Sequence, residues 1–232
     1  HCTSLQEATG KIDYRLMNDC MFHVVFQKNL KALRGLCASL LHMHPEEILS
    51  VEVLNPIEFG EQPKDKEFIL DLKVKLNNDR ILNFEVQVMD EKNRPEFYAT
   101  FQLLNVKNHE IYSSKFVLSV VNLNQIELAT EEDRKYGIDH WARLFKADTW
   151  EAIKKMAQEN EYVSDAAETL LQSNQDLKIR SYCEAVEEAR RVRRGLERLV
   201  AEKDEVIAEK DEVLAEKDAE IARLKALLAA KQ

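Results

Sequence analysis

Glycine and proline are scarce in this chain, five and four in 232 residues. So few turn formers argue against an all-β sandwich and for helices around a modest sheet, a mixed α and β class. The four cysteines, Cys2, Cys20, Cys37 and Cys183, have neither C-x-x-C spacing nor the density of a secreted disulfide scaffold, so all four are expected to be free thiols in a reducing compartment. No apolar run reaches the roughly 18 residues that a membrane helix needs, and the opening HCTSLQEATGK lacks the apolar core of a signal peptide. A soluble, cytoplasmic protein with no membrane partner is the expectation, and a first residue of His rather than Met suggests a trimmed start. The motifs G-x-x-x-x-G-K-[ST], G-x-G-x-x-G and G-x-S-x-G are also missing, which removes support for nucleotide-fold and serine-hydrolase readings. His42, His44, His109 and His140 lack the helical spacing of a zinc set.

A net charge of -9 argues against a surface that is wholly a nucleic-acid footprint, although a local basic patch can still meet phosphates. The densest patch is RRVRRGLER, with Arg180 and Arg190, Arg191, Arg193 and Arg194 near it or within it. It reads either as a phosphate contact or as the solvated face of a helix paired with Glu184, Glu187 and Glu188.

Apolar residues from Met21 to Leu41 recur at three- and four-residue steps, broken around Gln27-Lys28-Asn29, which predicts two helices or one bent one. Asp19 stands near the first N-terminus, where a carboxylate suits the helix dipole. Pro45 opens a short turn, and Ile48 to Leu54 reads as a strand ended by Asn55-Pro56. Phe68 to Leu76 and Arg80 to Met89 form a predicted antiparallel hairpin across Asn77-Asn78-Asp79. Strands are also expected over Phe97 to Asn105, over Ser114 to Asn122, where FVLSVVNL reads as buried, and from about Ile126. Helices follow around Tyr136 to Lys146, Thr149 to Ala157 and Ala166 to Leu171, with Trp141 and Trp150 in their apolar faces.

From Ala201 to Leu228 the chain is four seven-residue units, AEKDEVI, AEKDEVL, AEKDAEI and ARLKALL. Val200, Ile207, Leu214, Ile221 and Leu228 hold one heptad position, but the matching one carries Lys203, Lys210, Lys217 and only then Leu224. The tail therefore reads as a coiled coil with a half-polar seam, or as a solvated single helix held by Glu and Lys pairs.

Within the hairpin, LDLKVKLNNDRILNFEVQV carries two carboxylates where apolar residues surround them, Asp71 after FIL and Glu85 between Phe84 and Val86. Glu85 and Gln87 share a face by the strand period of two, as do Asp71 and Lys73. If Asp71 and Glu85 pair across the hairpin they converge on one point, which is what a divalent metal needs: two hard oxygen donors, with water and a substrate phosphate filling the remaining sites. The alternative is a wet face on which the two acids pair with Lys73, Lys75 or Arg80.

These stretches, together with NDCMFHVVFQKN, VEVLNPIEFG, PEFYATFQLLNVKNHEIYSSKFVLSVVNL, DHWARLFKADTWEAIKKMA and the EKD repeats, resemble the PD-(D/E)XK nuclease superfamily and, within it, the bacterial Rpn family of recombination-promoting nucleases and transposases. The resemblance implies a restriction-endonuclease-like mixed α/β (α+β) sheet flanked by helices over residues 1–130, a helical extension over 131–190 and a coiled-coil tail over 191–232. It implies an Mg²⁺-dependent, or Mn²⁺-dependent, DNA endonuclease linked to recombination or transposition, assembled as a homodimer or higher oligomer through the tail. Asp71 resembles the first metal-binding acid and Glu85 the second. Gln87 occupies the place of the lysine, where Gln is common in this family, and its amide can orient a water but carries no charge. Lys73 would meet the phosphoryl charge, and Asp19 matches the acid of an N-terminal D-x-x-F motif, where it assists the metal or caps a helix. His23 stands where relatives often carry Lys or Arg. Relatives also carry a further core strand between the E-x-Q strand and PEFYAT, where MDEKNR is all that stands here. Deleting a core strand exposes its neighbours' edges, so a segment missing from the sequence is the expectation. These departures also support an alternative, a catalytically inactive nuclease-like module that binds DNA or assembles through its coil.

Overall fold

A computed structural model describes residues 4–57, 71–77, 79–86, 96–114 and 116–229 of the chain. Its contacts divide the chain into two units, residues 1–183 and 184–232.

The first unit begins with helices α1 (Asp19–Lys28) and α2 (Leu30–Leu40). The break expected near Gln27-Lys28-Asn29 falls on Asn29, which ends α1 with its N–H on Val25 C=O and starts α2 by accepting from Ala32 N–H. Pro45–Glu47 forms a 3₁₀ turn closed by Glu47, whose carboxylate accepts from His44 N–H at 2.6 Å. Strand β1 (Val51–Val53) pairs antiparallel with β2 (Leu72–Leu76), which pairs antiparallel with β3 (Ile81–Phe84). In β2 the period of two is plain, with Leu72, Val74 and Leu76 buried and Lys73 exposed.

A separate two-stranded sheet joins β4 (Tyr98–Gln102) to β5 (Val117–Val121). Tyr98 anchors its root by donating to Leu40 C=O at 2.7 Å. The expectation of a buried FVLSVVNL strand is corrected here: Val117 and Leu118 are exposed, at 47% and 53%, because neither face of the outer ribbon is covered among the described residues. The strand expected from Ile126 is instead a 3₁₀ stretch, Leu123–Leu128, started by Asn122, whose side chain accepts from Asn124 N–H. Such a local side-chain bond competes with a sheet ladder. Ile126 there packs with Phe97, Ala129, Ile138 and Ala142.

Helices α3 (Glu131–Lys135), α4 (Ile138–Lys146), α5 (Trp150–Ala157) and α6 (Glu161–Gln175) complete the scaffold. Trp141 and Trp150 are buried core, as expected, and Trp141 Nε1–H donates to Ser39 Oγ at 3.1 Å. An aromatic chain runs Phe84, Phe22, Phe26, Trp141 with centroids 6.3, 4.9 and 5.8 Å apart, tying β3 to α1 and α4. The N-terminal segment is laced to the later helices by Tyr14 N–H on Asn174 Oδ1 and Asn174 Nδ2 on Tyr14 C=O, at 2.9 and 3.0 Å. Cys20, Cys37 and Cys183 are buried thiols outside any disulfide, while Cys2 lies outside the described residues.

Helix α7 (Leu177–Ala229) starts in the first unit, with Ile179 and Cys183 buried. The second unit continues α7 through the heptads, where Val200, Ile207, Leu214 and Ile221 are exposed and Lys217 pairs with Glu220 at 3.8 Å. No helix among the described residues is long and apolar enough to cross a membrane.

Candidate functional site

The two acids singled out in the sequence flank the β2–β3 ladder. Its register runs Leu72↔Phe84, Lys73↔Asn83, Val74↔Leu82 and Lys75↔Ile81, and one further step in the same register sets Asp71 opposite Glu85. Asp71 is half-buried and Glu85 exposed. Both lie on the side of the ladder away from Leu72 and Val74, which also bears Lys73 and Asn83. Asn83 Nδ2 donates to Asp71 Oδ2 at 3.3 Å, a neutral partner for the first acid. Lys75, one of the cations weighed against a metal role, is engaged elsewhere, 2.8 Å from Asp79. Hydrogen bonding between the two raises the Lys75 ammonium and lowers the Asp79 carboxyl from their ordinary values.

The backbone that presents Asp71 is held by side chains that sequence reading overlooked. Asn55 Nδ2 donates to Asp71 C=O at 2.6 Å, Asn55 Oδ1 accepts from Lys73 N–H at 2.9 Å, and Leu54 N–H donates to Lys73 C=O at 2.8 Å. Asn-Pro had been legible only as a strand terminator. Asn83 carried a signal, since it shares Glu85's face by the period of two.

Asp19 occupies the first turn of α1, where its charge suits the dipole. The capping oxygen itself belongs to Asn18, whose Oδ1 accepts from Met21 N–H at 3.0 Å. Phe22, three residues on and hence on the same helical face as Asp19, packs against Phe84 beside Glu85. His23 is 1% exposed, so its side chain is withdrawn from any phosphate on that turn. Gln87 lies outside the described residues. Among the described residues no three or more His, Cys, Asp or Glu side chains gather as a metal-holding group, so Asp19, Asp71 and Glu85 do not form a closed triad.

Of the arginine patch, Arg180 pairs with Asp13 at 3.1 Å and Arg191 with Glu188 at 2.5 Å, the latter one of the helical pairings anticipated in the sequence. An open cleft of about 690 Å³ is lined by Glu7, Lys11, Asp13, Trp150, Asn174 and Arg180, none of which is a candidate catalytic residue.

Residues 16–99 match a family model described as PD-(D/E)XK nuclease family transposase. The matched interval contains Asp19, Asp71 and Glu85, together with all of α1, α2, β1, β2 and β3. Neither comparison with curated proteins nor comparison with solved structures gives a match. In this matched segment the two acids stand at one end of a small antiparallel sheet, beside the Phe22–Phe84 contact with α1.

Proposed function

We propose that the chain is a divalent-metal-dependent endonuclease that hydrolyses DNA phosphodiesters in recombination or transposition. The observation that carries the reading is the register that aligns Asp71 with Glu85 inside a segment matching nuclease-family transposases. Two carboxylates facing one another fit Mg²⁺ or Mn²⁺, which take hard oxygen donors and leave positions for water and phosphate. Asp71 and Glu85 would hold the ion. When bound, such an ion supplies positive charge to the scissile phosphate and acidifies water.

The chain's own groups do the rest. Gln87, two residues after Glu85 in the sequence, would orient the attacking water through its amide. Lys73, on Asp71's face, meets charge on the phosphoryl oxygens as a point cation. Asp19, on the helical turn whose Phe22 touches Phe84, would be a weaker, assisting member of the set. The heptads of α7 bring two or more copies together, so that two sites address two strands. The protein works in the cytoplasm of a bacterium.

A second reading is supported by the missing third carboxylate among the described residues: a nuclease-like module that binds DNA, or assembles through its tail, without turnover. Plasmid cleavage with Mg²⁺ and with Mn²⁺ separates the two. Cutting by the parent that is lost in Asp71→Ala and in Glu85→Ala is expected. Retention of DNA by all three proteins in a mobility-shift assay, with no cutting by any, would refute the enzyme.

A further inference from the structure

The β1–β2 ladder is clasped at each end by an asparagine side chain. At the hairpin end Asn77 Oδ1 accepts from Leu49 N–H at 3.2 Å. At the opposite end Asn55 holds both Asp71 C=O and Lys73 N–H, at 2.6 and 2.9 Å. The main-chain pairing, Val51↔Leu76 to Val53↔Val74, stops short of Asn55. Pro56, the next residue, has no N–H to extend it. A carboxamide carries the same donor and acceptor as a peptide group, so the Asn55 side chain takes over where the backbone cannot continue.

The stretch bearing Asn55 is itself fixed by a second carboxamide. Gln27 Oε1 accepts from Ile57 N–H at 2.7 Å and Gln27 Nε2 donates to Ile57 C=O at 2.9 Å. Gln27 lies in α1, the helix that Asp19 opens. Two amide clasps in series therefore connect α1 to the peptide of Asp71.

We infer that Asn55, backed by Gln27, is a positioning residue for the Asp71 carboxylate. Asp71 precedes the first ladder residue of β2, so the Asn55 clasp fixes its backbone on the β1 side and sets the direction of its side chain toward Glu85's end of β3. The inference rests on the reading of Asp71 and Glu85 as metal ligands. Groups that orient metal ligands without touching the ion change metal affinity roughly 10- to 100-fold when removed.

Mn²⁺ binding by the full chain, read by calorimetry alongside thermal melting, tests this without requiring turnover. Asn55→Ala should weaken Mn²⁺ binding about tenfold, and Gln27→Ala should weaken it by a smaller factor in the same direction. Asn77→Ala removes a like bond from the far end of the same ladder and should lower the melting temperature while keeping the parent affinity. Parent affinity in Asn55→Ala, or equal weakening in Asn77→Ala, overturns the inference. Should Asn55→Ala fail to fold, Gln27→Ala decides it, since unchanged affinity there overturns the clasp. Parent affinity in Asp71→Ala would instead sink the metal site itself, a result distinct from the others.

Discussion

Gly35 sits in the middle of α2 with the face of α6 pressed against it. A Cβ added there would lie 2.4 Å from Tyr162 Cβ, 2.5 Å from Cγ and 2.9 Å from Cδ1. A tyrosine ring can swing about χ1, but its Cβ is fixed to the backbone, so Gly35→Ala forces α2 and α6 apart. Overpacking of this kind costs about 1–3 kcal/mol, and a clash with Cβ belongs at the upper end. Replacing a helical glycine by alanine returns about 1 kcal/mol of propensity. A net loss of about 2 kcal/mol remains, or roughly 4–8 °C in melting temperature for a domain of this size. The same approach seats Lys31 between Glu161 and Asp165, at 2.9 and 2.7 Å, so those exposed pairs should loosen too. Differential scanning calorimetry of the full chain reads the shift. Adding Tyr162→Ala should not restore the parent value, because alanine keeps the offending Cβ, whereas Tyr162→Gly removes the clash itself. A Gly35→Ala protein that melts at or above the parent would refute the close approach of the two helices.

Ser39→Ala leaves the buried Trp141 indole N–H without its acceptor, and should cost about 1–3 kcal/mol in chemical denaturation; a loss within error of zero would contradict the bond. Gly10 N–H donates to both Glu151 carboxylate oxygens, at 3.0 and 3.3 Å, and this holds the Glu151 carboxyl below its ordinary value. A lowered folded pKa means stability that is present above the ordinary carboxylate range and lost as pH falls through the lowered value. Glu151→Gln should therefore flatten the acid limb of a melting-temperature profile, and an unchanged limb would contradict the contact. Burial pushes the Cys37 thiol up to about 12, and Cys20 and Cys183 are likewise buried. These three thiols should resist Ellman's reagent at pH 8 until denaturant is added, and rapid labelling of any of them in the native protein would count against their burial.

The helices and the hairpin were legible because each is written in one local code. The three- and four-residue spacing from Met21 to Leu41 gave α1 and α2, and the polar Asn77-Asn78-Asp79 link gave β2 and β3 and with them the alignment of the two acids. Where burial depends on a distant neighbour the code fails. FVLSVVNL has the composition of a core strand, yet Val117 and Leu118 are exposed. Ile126 is buried as its apolar context suggests, but in a 3₁₀ stretch, since Asn122 offers a local cap that strand propensity does not register. Asp19 and Asn18 are equally good first-turn residues on paper, and only the backbone angles make Asn18 the cap. Asn55 was the least legible of all, because its role depends on Asp71 and Lys73 being brought to it, 16 and 18 residues away.

Asn29 has a consequence for how the protein is made. Besides ending α1 and starting α2, its amide donates to Asp165 C=O at 3.1 Å and to Thr169 Oγ1 at 2.8 Å, partners 136 and 140 residues later in the chain. At roughly 5–20 residues per second, a ribosome that has just delivered the α1–α2 corner needs about 7–30 s more before those partners are synthesised. Through that interval the apolar faces of both helices have no α6 to cover them. The segment that matches the nuclease family is thus complete in sequence well before it can be complete in structure, and until then it carries the uncovered apolar surface that makes a nascent chain prone to aggregate.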